Sequence, residues 1–355
     1  MKEIHQLLAG ASVGDAITNY ALEIKDILTS LDIQSKIFAP FHHTSPELRD
    51  EILPASENLS LINNKDATLI YHFSIGSGLT KYFIDTPARK ILCYHNITPE
   101  KYLQSISSKR ANTLREGREE LKKLKSVPDI SLAVSSFNAS EMENFGFQNV
   151  GVIPLTINTS YLKTEPSRSI IRKTSDSFTN ILFVGRVSPN KKLEDVIKVF
   201  YYYNKTINPS SRLIFVGSYV GMEKYYTYLK SLASEMGLQN VIFTGHVSLE
   251  DLLGYYSSSS LFLCMSEHEG VCIPLIECMF FKKPVFALAR AAVPETLGNT
   301  GVLIKNKNFR EIAELIDIVM NDSNLLNGIV ESQNKRVKDF HQDILKEKLK
   351  AVLGL

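Results

Sequence analysis

The sequence predicts a two-domain α/β protein with a parallel sheet in each domain, and three observations carry that expectation. At 355 residues the chain is long for one core, and two domains of about 150–180 residues are the natural division. Short apolar, β-rich runs alternate with helix-periodic segments through both halves, the pattern of βαβ units whose strands are buried on both faces. Between the halves lies TEPSRSIIRKTSDSFTN, residues 164–180, rich in Ser, Thr and charge, which reads as an interdomain linker. The expected boundaries are therefore a first domain over 1–165, a linker over 166–179, a second domain over 180–335, and a C-terminal helical tail over 336–355, whose domain the sequence leaves open, packing back on the first domain being one reading.

In the first half the expected strands are IHQLLA (4–9), SKIFA (35–39), ATLIYHF (67–73), RKILCYH (89–95), ISLAVS (130–135) and VGVIPL (150–155). In the second they are NILFVG (180–185), RLIFVG (212–217), NVIFTG (240–245), LFLCMS (261–266), PVFALA (284–289) and GVLIK (301–305). Two Rossmann-like domains facing across a cleft follow as the expected architecture.

Composition excludes several classes. Hydrophobic residues at 44% and charged ones at 22% are ordinary for a globular protein, and a net charge of +2 names no partner. No basic stripe with interleaved aromatics suggests nucleic acid. No apolar run reaches the roughly 20 residues needed to span a bilayer, and MKEIHQLLAG lacks the features of a secretory signal, so a cytoplasmic location is expected. Cys93, Cys264, Cys272 and Cys278 show no CxxC pairing or metal-ligand spacing and read as buried thiols.

Ligands of open parallel sheets bind at the carboxyl ends of the strands, so the residues after each strand form a candidate set. After the first strand, GASVGD, with Gly14 and Asp15, opens a helix whose apolar face is Ile17, Ala21, Ile24, Ile27, Leu28 and Leu31. The loop matches neither GxGxxG nor GxxxxGK[ST], which disfavours a nicotinamide dehydrogenase and a P-loop NTPase. In the second half, GRVSPNKK places Gly185, Arg186 and Lys191 at a strand tip and helix mouth. That arrangement suits a diphosphate, the alternative being a solvated basic loop. TGHVSLED places Gly245, His246 and Val247 after a strand, with Ser248 and Asp251 resembling a capping box, and its bent backbone suits a nucleobase; His246 reads equally as an ordinary loop histidine.

FLCMSEHEGVCIPLIECM (262–279) completes the set. Pro274 fits the first turn of a helix, Glu277 lies about one turn inside it, and Glu269 stays in the preceding loop. The N–H groups of Gly270, Val271 and Cys272 precede that helix, where phosphates bind. Eight residues apart, the two glutamates read as clamps on different parts of one extended ligand, a polyhydroxylated group joined to a nucleoside diphosphate.

Through GRVSPNKK, VGS, FTGHVS, EGVCIPLIEC as an E-x7-E motif, and KKPVFALARAAVPETLG, the second half resembles retaining glycosyltransferases of the GT-B fold, specifically glycosyltransferase family 4. GDAITN and ILCYHNITP extend the likeness to members acting in bacterial surface polysaccharide (O-antigen, lipopolysaccharide) assembly. The resemblance implies that Arg186 and Lys191 meet the donor diphosphate, Glu269 the hydroxyls of the transferred sugar, and Glu277 the ribose. It further implies that His95 reaches the donor sugar, that Gly14 approaches the phosphate, and that Gly270, Val271 and Cys272 give backbone contacts, with Cys272 standing where the family has a smaller residue. It implies catalysis without a metal or other cofactor, the cations and helix N-terminus stabilising the leaving diphosphate, and no dedicated nucleophile. Transfer of a hexose is expected, with GDP-mannose as first donor and UDP-glucose or UDP-galactose as second, onto a glycan or a polyprenyl-diphosphate-linked oligosaccharide. A nucleotide-sugar epimerase of the same fold is the alternative. Acceptor candidates in the first half are Asp15, Asn19, His72, Ser74 and Ser135, each of which reads equally as a cap or core polar residue. The basic segment KRANTLREGREELKKLKS (109–126) reads as a solvated helix face or as a contact with an anionic membrane surface.

Overall fold

The computed structural model describes residues 3–157 and 159–355; Met1, Lys2 and Asn158, the first two within the segment read for a signal, lie outside the described residues. The chain forms two compact units, the first from residues 3–101, 108–157 and 340–355, the second from 102–107 and 159–339.

The first unit holds seven strands, β1 Glu3–Leu8, β2 Ile37–Ala39, β3 Ile52–Pro54, β4 Ala67–Phe73, β5 Arg89–Tyr94, β6 Ile130–Ala133 and β7 Gly151–Val152. They pair in the order β3-β2-β1-β4-β5-β6-β7, every pair parallel. All seven residues of β4 are buried, as a central strand covered by helices on both faces requires. Phe38, Tyr71, Phe73, Phe83, Leu92 and Tyr94 lie in the main core of this unit. Strand β3 was absent from the expected set because three residues are too few to show a period; its Pro54 sits on the sheet edge, where a missing N–H costs little.

The second unit holds β8 Thr179–Val184, β9 Ser211–Val216, β10 Val241–Gly245, β11 Leu261–Cys264, β12 Val285–Leu288 and β13 Val302–Ile304, in the order β10-β9-β8-β11-β12-β13, again all parallel. Phe215, Phe183 and Phe262 meet ring to ring across β9, β8 and β11 at 6.0 and 6.1 Å. In both sheets the order reverses once, between β1 and β4 and between β8 and β11. Those reversals open the crevices at which doubly wound sheets bind ligands.

The expected linker 166–179 is instead part of the second unit. Arg168–Thr174 is helical, buries Ile170 and Thr174, and lies so close to the helix Leu249–Ser258 that a Cβ on Gly254 would stand 2.9 Å from Ile170 Cβ. Its polar composition misled because its hydroxyls find partners within the protein: Thr174 Oγ1 lies 2.7 Å from both Ile170 O, to which it donates, and Ser258 Oγ. The division falls at 158–159 rather than 166. The final helix Gln342–Leu353 belongs to the first unit and buries Leu345, Leu349 and Leu353.

One buried charge sits awkwardly in the first unit. Glu23, on the helix Ala16–Thr29, accepts from Thr156 Oγ1 at 3.1 Å through Oε2, while its Oε1 is buried with no partner. Burial pushes its carboxyl above the usual 4.5, against the pull of the Thr156 hydrogen bond. The native state thus holds a proton that the unfolded chain releases, so stability falls as pH rises from the ordinary glutamate value through the raised one. Glu23→Gln is expected to abolish that slope and, near pH 7, to raise stability by about 1 kcal/mol; urea unfolding at about pH 4 and pH 7 reads both.

Candidate functional site

The loops after β8 and β11 flank the reversal of the second sheet, and Asn190 ties them together. Glu267 N donates to Asn190 O at 2.9 Å, and Asn190 Nδ2 donates to His268 O at 3.0 Å. Across this brace the Lys191 ammonium lies 2.6 Å from both carboxylate oxygens of Glu269, a bidentate pair with the lysine one-fifth and the glutamate under one-tenth exposed. Burial pulls the Lys191 ammonium down, but the Glu269 carboxylate outweighs it and holds the ammonium above its ordinary range. Lys191 and Glu269, expected to touch different parts of a ligand, are thus brought together. Arg186 follows β8 at an exposed position.

Beyond Glu269 the backbone turns through Gly270 and Val271 into the helix Ile273–Phe280. Cys272 occupies its N-cap at φ 70°, a left-handed conformation for which a non-glycine residue is unusual, and supplies no side-chain cap. The turn is held from outside: Thr296 Oγ1 donates to Val271 O, and Ala292 N donates to Glu269 O at 3.3 Å. A helix mouth beside a lysine is a place for an anion. Cys264, Glu269 and Cys272 also come within 4.8 Å of one another, a proximity that their sequence spacing does not show; the Lys191 ammonium already supplies a cation to that group.

Glu277 is buried one turn into the helix, as its spacing predicts. Tyr161 Oη donates to its Oε1 and Tyr256 Oη to its Oε2, each at 2.6 Å. Burial raises the Glu277 carboxyl and the two phenols pull it back down; the carboxylate in turn helps raise both tyrosines. The Tyr256 ring stacks on Phe281 at 5.4 Å, which fixes its direction. Each carboxylate oxygen retains a lone pair, so Glu277 can still accept from a diol.

The ends of β8, β9 and β10 are stitched by glycines. Gly185 N donates to Val216 O at 2.9 Å and Gly217 N to Gly245 O at 3.0 Å. Gly217 stands at φ 146°, and a Cβ there would lie 2.1 Å from Gly185 O, so no other residue fits. His246 is exposed, Val247 half-buried, and Ser248 accepts from Asp251 N at 3.2 Å as the helix cap. Tyr219, which the sequence reading passed over, stacks on Tyr226 at 4.1 Å beside Gly245.

In the first unit, a cavity of about 280 Å³ opens at the reversal between β1 and β4, lined by Gly10, Ser12, Asp15, His43, His72 and Ser74 among others. The expected anion cradle after β1 is capped from within. The Asp15 carboxylate accepts from Ile17 N and Thr18 N at 3.1 and 2.9 Å and from Thr18 Oγ1 at 3.0 Å, so a negative charge already occupies the helix mouth. Gly14, at φ 77°, and Asn19 are exposed. Ser135 caps the helix Ser136–Asn144 by accepting from Asn138 N at 3.3 Å.

His72 and His95 form a pair. His72 lies opposite Cys93 in the β4–β5 register, and His95 N donates to Phe73 O at 2.9 Å, which brings His95 Nε2 within 2.9 Å of His72 Nδ1. The other nitrogen of His72 lies 2.8 Å from Gln6 Oε1. Both ring nitrogens of the candidate acceptor residue His72 are therefore spent inside the protein. Cys93 joins the two histidines in a cluster with metal-ligand proximity, which the hydrogen bonds between the rings already satisfy in part. Tyr161, Tyr256, Asn190 and Gln6 escaped the sequence reading because their partners lie 21 to 116 residues away. The one local signal was the YY pair on a helix immediately preceding β11.

In the basic segment, Arg118 donates to Ile97 O and Glu141 Oε1, both at 2.8 Å, while Ala111, Gly117 and Leu121 of the helix Ser108–Lys123 are buried. Part of that charge is structural.

The two doubly wound parallel sheets have the GT-B fold of the solved structures that superpose on the chain. The solved structure of Anabaena HepE in complex with UDP and glucose superposes with a TM-score of 0.74 over 100% of both chains at 17% identity. Residues 168–336 match the family described as glycosyl transferases group 1, a match covering just under half of the chain. The capsular polysaccharide biosynthesis glycosyltransferase CapM of Staphylococcus aureus is 27% identical over 186 residues, which are 50% of this chain and 46% of CapM. The serotype-specific mannosyltransferase WbdA of Escherichia coli is 22% identical over 341 residues, 89% of this chain and 40% of WbdA. The chain thus spans about half the length of these curated relatives or less.

Proposed function

We propose that the chain is a retaining hexosyltransferase that moves a hexose from a nucleoside diphosphate sugar to a growing, lipid-linked surface glycan. The observation that carries this reading is the braced Lys191–Glu269 pair beside a helix mouth without a side-chain cap, with Glu277 one turn further on. In this scheme Arg186, Lys191 and the N–H groups preceding Ile273 hold the donor diphosphate and absorb the charge that grows on it as the glycosidic bond breaks. Glu269, already holding the lysine, accepts from hydroxyls of the sugar, and Glu277 accepts from the ribose diol. Backbone at Gly185, Gly245 and Val247 lies beside the base, with Tyr219 as an added apolar wall. The reaction proceeds without a metal ion, and the leaving diphosphate takes the acceptor's proton, so that configuration is retained and no protein nucleophile is needed.

A GDP-linked mannose is the first donor, supported by the likeness to a mannosyltransferase, and a UDP-linked hexose is the second, supported by the likeness to a UDP-bound structure. Among the described residues no helix is long and apolar enough to cross a membrane, so a lipid-linked acceptor would be met at the membrane surface, with the exposed cations of Ser108–Lys123 nearest the lipid.

Thermal-shift measurements with GDP-, UDP- and ADP-sugars identify the donor, because a ligand at 100 times its Kd stabilises by about 2.7 kcal/mol. Glu269→Ala and Arg186→Ala are each expected to lower turnover at least about a hundredfold. Unchanged turnover in either variant overturns the proposal, and donor consumption without any acceptor points instead to an epimerase of the same fold.

A further inference from the structure

A chain of buried hydrogen bonds in the first unit fixes where the protons of two histidines sit. Gln6 Nε2 donates to Ala21 O at 3.0 Å, which turns Gln6 Oε1 toward His72 Nε2 at 2.8 Å. An amide oxygen only accepts, so His72 Nε2 carries the hydrogen. A neutral imidazole has one such hydrogen; His72 Nδ1 is therefore bare, and it accepts from His95 Nε2–H across 2.9 Å. His95 has then spent its only proton inward, and its Nδ1 presents a lone pair. That nitrogen is buried and has no hydrogen-bond partner, while His95 as a whole is 8% exposed.

The alternatives fail on charge and geometry. Reversing the Gln6 amide would set its oxygen against Ala21 O, two acceptors 3.0 Å apart. A doubly protonated ring would keep these hydrogen bonds but place a positive charge in the interior, which burial opposes, pushing His72 down to about 3 and His95, which also faces His72, well below its usual range. Cys93, the titratable neighbour on β5, is kept neutral by burial, which pushes its thiol up to about 12. Tyr20 packs edge-on against His72 and His95, with centroids 6.0 and 5.6 Å away.

We propose that Gln6 and His72 are positioning residues that lock His95 in its Nε2–H tautomer, making His95 Nδ1 a fixed acceptor for a substrate hydroxyl. The proposal rests on the reading above that the chain handles sugars. A bare lone pair repels phosphate oxygens and cannot donate a proton, so the group it takes is a neutral hydroxyl, not the diphosphate, and His95 is not a general acid. The hydroxyl belongs either to the transferred sugar or to the acceptor glycan.

The first test needs no substrate. In protein labelled with nitrogen-15 at histidine, the ring shifts of His72 and His95 are expected to report Nε2–H tautomers from about pH 6 to pH 8, with neither ring titrating. His72→Asn keeps an acceptor near the Nδ1 position and is expected to leave His95 as it was, whereas His72→Phe removes it and is expected to mix the His95 tautomers. An Nδ1–H tautomer of His95 in the native protein, or one indifferent to His72→Phe, overturns the proposal.

The second test uses nucleotide sugars and acceptors in which single hydroxyls are replaced by hydrogen. His72→Phe is expected to lose about tenfold in kcat/KM on the natural pair, with His72→Asn restoring most of it, and to lose nothing further on the one analogue missing the contacted hydroxyl. A deoxy donor that behaves this way assigns the hydroxyl to the transferred sugar, and a deoxy acceptor assigns it to the glycan. Equal losses on every substrate overturn the proposal. If no nucleotide sugar shifts the melting temperature, the transferase reading fails while the tautomer result still stands.

Discussion

Lys191→Ala is expected to destabilise the protein by about 3 kcal/mol and to lower turnover about a hundredfold or more, because it leaves a buried carboxylate without its cation. The stability loss comes from Glu269. Under one-tenth exposed and close to two thiols, its carboxylate is left without a counter-charge. Glu269→Gln in the same chain removes the stranded charge and is expected to restore most of the stability while leaving turnover low. Urea unfolding of the two single variants and the double variant separates the effects, since residues in direct contact couple non-additively. A Lys191→Ala protein as stable as the native one would show that the pair contributes nothing to the fold.

Gly217→Ala is expected to cost about 3 kcal/mol or more, a fall of roughly 10 °C in melting temperature. The added Cβ would lie 2.1 Å from Gly185 O and 2.6 Å from Gly185 C, which are backbone atoms of the neighbouring strand end and cannot turn aside as a side chain would. Relief requires β8 and β9 to part at the tip that carries Arg186, so donor affinity should fall with stability. Gly328→Ala is the matched control: it lies within the helix Ser323–Arg336, has nothing within 4 Å of the added carbon, and is expected to stabilise by about 0.5–1 kcal/mol.

Much of this architecture can be read before any coordinates. Among the described residues, twelve of the thirteen strands overlap the apolar runs that announce them, because a strand buried on both faces leaves little choice of side chain. Glu277 falls one turn inside its helix because Pro274 marks the helix start. Asp15 and Ser135 turn out to be caps, the alternative their positions always allowed. What stays hidden depends on strand order. Lys191 and Glu269 are 78 residues apart and meet only because β8 and β11 are neighbours, and Gln6 and His72 meet only because β1 and β4 are. No local pattern encodes those adjacencies. The misread linker has a different cause, since a Ser/Thr-rich stretch looks solvated until Thr174 and Ser258 are seen to bond to each other.

The Asn190 brace has a consequence for the entropy of binding. With its backbone oxygen on Glu267 and its amide on His268, it makes the loops after β8 and β11 one rigid piece whose ordering is completed during folding. A ligand that reaches across both loops does not have to freeze them against each other, and that otherwise costs about 1–2 kcal/mol for every residue immobilised. The second unit is in this respect preorganised: what it gives up in adaptability to differently shaped ligands it recovers as affinity for the one whose charges match.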